Sequence, residues 1–153
     1  MRLNRLPFTA AGLLAAISCL AASAVITAGT RAGDTLPPAA APKVEAAALM
    51  ARALSSIKAL RLEKGIPLDA GLDPNGTGIV GDEFSPLTTS LGDAAAKRTA
   101  ANPAFAGVVA GYYQRAGLGP GDVVAIGGSG SFPAFVLASL CAARALDLKP
   151  VLI

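Results

Sequence analysis

The residues best suited to chemistry form one run, Gly127-Gly128-Ser129-Gly130-Ser131-Phe132-Pro133. It separates an apolar stretch that reads as a strand from a segment that reads as a helix. A glycine-rich turn at such a junction presents backbone N–H groups, and the helix N-terminus adds partial positive charge. Ser129 and Ser131 add hydroxyl donors. The chemistry is anion binding, with a carboxylate or phosphate held by Gly128, Ser129, Gly130 and Ser131. The alternative is a tight strand–helix turn with Ser131 as the N-cap. The run is not a Walker loop, because no Lys-Ser/Thr follows. Nor is it a G-x-G-x-x-G fingerprint, since Pro133 takes the third glycine's place. It also departs from the G-x-S-x-G elbow, because Ser131 replaces the last glycine.

A hydrolase or transferase would use Ser129 or Ser131 as nucleophile and would need a base. The chain has no histidine, which excludes Ser-His-Asp and Cys-His sites and any His-based zinc site. Lys97 or a carboxylate would have to serve. Lys97-Arg98, with Thr88, Thr89 and Thr99 nearby, is a second place for an acidic ligand, through charge-assisted hydrogen bonds. The same pair also reads as an ordinary solvated helix face. Asp73, Asn75 and Thr77 place oxygens at alternate positions, as at the start of a calcium loop. However, Phe84 occupies the twelfth position and Glu83 falls one place early. A turn held by Asx-type hydrogen bonds is the better reading. Asp82 and Glu83 are adjacent, so on a strand they face opposite ways and make no acid–base dyad. No metal and no cofactor is expected.

These residues need elements to hold them. Asp122–Gly127 reads as a buried strand, Pro133–Leu146 as a helix and Lys149–Ile153 as a second strand: a βαβ unit with parallel strands and a right-handed crossover. Lys43–Lys64 reads as a helix with Gly65 as its stop. Asp73–Gly81 reads as a turn leading to a short strand, and Ser85–Ser90 as another short strand. Leu91–Ala101 reads as a helix. Asn102-Pro103 then caps and opens a further helix, running to about Ala116 and stopped by Gly117. The fold class expected is α/β, an N-terminal transmembrane helix followed by a Rossmann-like βαβ-containing domain. Two confident strands cannot bury a full core, so that domain is expected to be incomplete at residue 153.

Phe8–Ala28 contains 21 residues without a charge, about 30 Å as a helix and enough to cross a bilayer. Arg2 and Arg5 before it favour a cytoplasmic N-terminus (1–7) and an exported C-terminal part. A signal anchor is expected, with a cleaved signal peptide ending at Ala22-Ser23-Ala24 as the alternative. Residues 29–42 form a Pro/Ala-rich linker and 43–153 the domain. The localisation expected is the cytoplasmic membrane, single-pass, with the domain outside. Cys19 falls in the apolar run and Cys141 in a predicted helix, so no disulfide is expected. The net charge of +3 comes mostly from Arg2, Arg5 and Arg31. From Lys43 onward ten basic residues face nine acidic ones. No basic patch with stacking aromatics emerges, which excludes nucleic acid as a partner.

Several short motifs occur in a definite order. An N-terminal apolar helix is followed by Asp73-Pro74-Asn75 with Thr77-Gly78 and Gly81. Next come Thr88-Thr89, Gly92, Ala96-Lys97-Arg98-Thr99, and Asn102-Pro103 with Phe105-Ala106. Gly121-Asp122 and Ser129-Gly130-Ser131-Phe132-Pro133 close the series. This order resembles the poly-gamma-glutamate system protein family, over about residues 44–153 and the front half of that family's length. The resemblance implies a membrane-anchored accessory role in synthesis or export of a capsule polymer of glutamate, at the cell envelope. The partners it implies are the membrane, poly-gamma-glutamate and other proteins of its synthesis system. It supplies no catalytic residues. The competing readings are a serine-dependent enzyme acting on the polymer and an anchored nucleotide-binding module.

Overall fold

The computed structural model describes residues 37–82, 84, 86 and 92–153, and about half of the described residues are helical. A 3-10 turn, Pro38–Ala40, leads into α1 (Ala41–Glu63). Irregular chain follows over residues 64–82; the later elements are α2 (Ala94–Ala100), α3 (Ala104–Arg115), β1 (Val123–Ile126), α4 (Pro133–Ala145) and β2 (Lys149–Leu152).

Small side chains decide how the helices meet. α1, α3 and α4 pack mutually, through Ala46, Met50 and Leu54 of α1, Ala106 and Ala110 of α3, and Ala134, Ala138, Cys141 and Ala142 of α4. Met50 is the largest fully buried side chain. With so many alanines at the contacts, helix surfaces approach closely. A Cβ on Gly107 would sit 2.8 Å from the carbonyl oxygen of Lys43, so α3 rests directly on the backbone of α1.

The helix ends follow local chemistry. Gly65 and Gly117 take left-handed φ values of 70° and 78° just past α1 and α3, a conformation that glycine adopts without strain. At the start of α2 the Asp93 carboxylate accepts from the Ala96 N–H at 2.7 Å. That cap shortens the helix expected to begin at Leu91. Asn102 Oδ1 accepts from the Ala104 N–H at 2.9 Å at the start of α3.

β1, α4 and β2 form the expected βαβ unit, and the strands pair in parallel with Val123 opposite Lys149 and Ile126 opposite Leu152. Lys149 N donates to Asp122 O, Ile153 N to Ile126 O, and Gly128 N to Ile153 O. By strand alternation, the edge of β1 that pairs with no strand among the described residues carries the N–H groups of Val123, Ala125 and Gly127. The free edge of β2 carries Pro150, which has no N–H, and Leu152.

The Rossmann-like domain expected from the sequence does not form. Among the described residues the sheet has two strands of four residues each, and the core is helix against helix. The buried residues of α1 and α3 pack against α4, so a helix and not a sheet closes this core. The short strand expected at the end of Asp73–Gly81 is also absent. Arg61 Nη1 donates to the carbonyls of Gly78 (2.9 Å) and Val80 (3.2 Å), fastening that stretch beside α1 as irregular chain. No helix among the described residues is long and apolar enough to cross a membrane. The expected span, 8–28, lies outside the described residues, as does most of the strand expected at 85–90.

Candidate functional site

The turn after β1 is set by close packing. A Cβ on Gly128 would lie 2.8 Å from Val136 Cγ2, so α4 crosses this point only because residue 128 has no side chain. Beyond it, Phe132 N donates to Ser129 O at 3.4 Å, closing a turn at the C-terminal end of the strand. The N-cap of α4 is Phe132, with no side-chain hydrogen bond. Ser131 therefore does not cap the helix, contrary to the turn-only reading. None of the backbone N–H groups of Ser129, Gly130 and Ser131 donates to a described backbone group. They stand beside the open first turn of α4, where the helix dipole favours negative charge.

Aromatic packing steadies this corner. Phe132 and Phe135 lie 5.4 Å apart by ring centroids, and Phe135 meets Phe105 of α3 edge-on at 5.1 Å. Sequence spacing alone did not mark this trio, although Phe132 and Phe135 are three residues apart. On the other side, Gly128, Ser129, Pro133, Val136, Leu152 and Ile153 line a groove of about 510 Å³. The site thus pairs uncommitted amides with an apolar wall.

Lys97 and Arg98 part company. A Cβ on Gly92 would lie 3.0 Å from Lys97 Cε and 3.1 Å from the Phe132 ring. The Lys97 stem thus runs to the same place as the end of the Gly-Ser turn. Arg98 points elsewhere: its Nε donates to Leu72 O at 3.0 Å and its Nη2 to Gly71 O at 2.9 Å. It ties the long loop to α2.

The Asp73 turn is built as its side chains suggest. The buried carboxylate of Asp73 accepts from the Thr77 hydroxyl (3.1 Å to each oxygen) and from the Gly78 N–H (2.7 Å). These bonds commit the carboxylate to shaping the loop. Ser129 and Ser131 make no hydrogen bond to a basic side chain among the described residues. Cys141 is a free thiol in the helical core, and burial pushes its pKa up against a smaller opposing pull from Arg52. A neutral buried thiol is a packing group, not a nucleophile.

The chain matches no family model, no curated protein and no solved structure.

Proposed function

We propose that this chain is a membrane-anchored accessory protein of poly-gamma-glutamate synthesis or export, and that it binds carboxylates of the acidic polymer at the corner between β1 and α4. The order of motifs from Asp73 to Pro133 supports the family reading. One observation carries the binding reading: the uncommitted amides of Ser129, Gly130 and Ser131 stand at a helix N-terminus, and the Lys97 stem and the Phe132 ring both come close to Gly92. Amides and an ammonium together suit a carboxylate, because charge-assisted hydrogen bonds are the stronger class. Successive carboxylates along a polymer would meet the turn and Lys97 in sequence.

The test is titration of the full chain, in detergent micelles, with fluorescently labelled poly-gamma-glutamate. Binding that weakens with salt, and roughly tenfold in Lys97→Ala, is expected for loss of one charge-assisted contact. Equal affinity in the wild type and Lys97→Glu would remove the corner from the reading. Arg98→Ala serves as a contrast, since its guanidinium holds loop carbonyls and its loss affects loop order before polymer affinity.

A further inference from the structure

A second place where cations converge lies where α1 packs on α3. Gly111 has no side chain, and two cations converge on the space. A Cβ there would lie 3.6 Å from Lys43 Nζ and 3.5 Å from Arg115 Nη1. The two charges are therefore at most about 7 Å apart, close enough to repel one another. Neither forms an ion pair with a described acidic residue. The acid nearest in sequence, Glu45, is turned to Arg52 at 3.3 Å. Arg115 also stacks over Tyr112, 4.5 Å from the ring centroid.

The flanks of this cation pair are apolar and open. Lys43 and Arg115 line a groove of about 530 Å³ with Val44, Gly107 and Val108, and Tyr112 stands beside it. Val44 is 51% exposed, Val108 45% and Tyr112 58%. Cations flanked by aliphatic side chains and a tyrosine match the chemistry of a lipid–water interface. Gln114 Nε2 donates to Ala39 O at 3.1 Å, so the chain enters the domain at the end of α3 that carries Arg115. Residues 29–36 separate Pro37 from the apolar stretch Phe8–Ala28 and reach at most about 29 Å when extended.

We infer that the α1–α3 face docks on an anionic lipid surface, with Lys43 and Arg115 holding lipid phosphate and Val44, Val108 and Tyr112 entering the interface. This inference rests on the membrane-anchored reading and is independent of polymer binding. The chain has no tryptophan, so a single introduced one reports its own surroundings. Full-length protein carrying Val108→Trp, or Val123→Trp on the exposed sheet, is reconstituted into vesicles of phosphatidylglycerol or of phosphatidylcholine, each with brominated acyl chains. The expected result is quenching of the Val108→Trp reporter at least twice that of the Val123→Trp reporter in phosphatidylglycerol. That excess disappears in phosphatidylcholine and in Lys43→Glu/Arg115→Glu. Equal quenching at the two positions overturns the inference, as does an excess that survives the double charge reversal. Shielding that follows protein density and ignores lipid charge assigns the face to a second copy and also overturns it. Inorganic phosphate added to the phosphatidylglycerol vesicles separates the sources: a loss of quenching at millimolar phosphate assigns the pair to a soluble anion and overturns lipid docking. Failure of the protein to float with either vesicle refutes the anchor itself and is read apart from the quenching.

Discussion

The helical core and the two-stranded sheet use apolar residues in opposite ways. In the core, alanine and glycine bring backbones together until single atoms are in contact, as Gly107 is with the Lys43 carbonyl. In the sheet, larger residues stand in the open: Val123 is 64% exposed and Leu152 57%. Buried area therefore does not track side-chain size in this molecule. The core derives its stability from close approach, where each missing methyl is a requirement. The sheet is held by its ladder and by α4 on one face, and its outer face tolerates change. The contrast also places chemistry: the amides of Ser129, Gly130 and Ser131 sit at the end of β1, whereas Lys43 and Arg115 sit at the rim of the closest helix contact.

The sharpest test of that difference sets Gly107→Leu against Val123→Thr. The first drives a branched side chain into backbone and is expected to cost about 3 kcal/mol or more. The second changes an exposed position and is expected to stay within about 0.5 kcal/mol. Denaturant unfolding of both reads the difference, and equal losses would break the comparison. A middle-sized effect is expected at the loop. Asp73→Ala strands the Thr77 hydroxyl and the Gly78 N–H in a buried turn, at about 2 kcal/mol. Arg98→Ala loosens the Gly71 and Leu72 carbonyls, with faster amide exchange across the loop, whereas Lys97→Ala leaves exchange there unchanged. The smallest effect is alkaline. The folded pKa of Cys141 lies above its unfolded value, so the neutral thiol is the form that the fold favours. Stability is undiminished below the unfolded value, near pH 9, and falls as pH rises through the folded pKa. Melting temperatures measured from neutral to alkaline pH should drop less steeply in Cys141→Ala than in the wild type.

Much of this was legible in the residues. Glycines 65 and 117 stop their helices where a left-handed residue is needed, and β1–α4–β2 followed from its apolar runs and the turn between them, although β1, expected to be buried, has only Ile126 buried. The hydrogen bonds around Asp73 followed from side-chain chemistry at short range. The larger architecture did not follow. Alanine suits any helix face, so the pattern of α1 and α3 could not show that they pair with α4 and leave no layer for a wide sheet. Ile79 and Val80 look like strand residues, but Arg61 reaches forward 17 and 19 positions to hold the carbonyls of Gly78 and Val80. Lys97 and Arg98 are neighbours in sequence, yet helical geometry sends one to the Gly-Ser turn and the other to the loop. Long-range pairings of this kind have no local signature.

Pro150 gives the sheet a direction of growth. An added strand finds three amide donors on the free edge of β1 and, on the free edge of β2, the Leu152 amide alone. Two copies that met through their β1 edges would present only blunted edges to a third. Head-to-tail stacking, which must join the β1 edge of one copy to the β2 edge of the next, loses one ladder hydrogen bond at Pro150 in every link. A single imino acid thus blunts one edge of this two-stranded sheet, removing a donor that pairing in either direction along that edge would use.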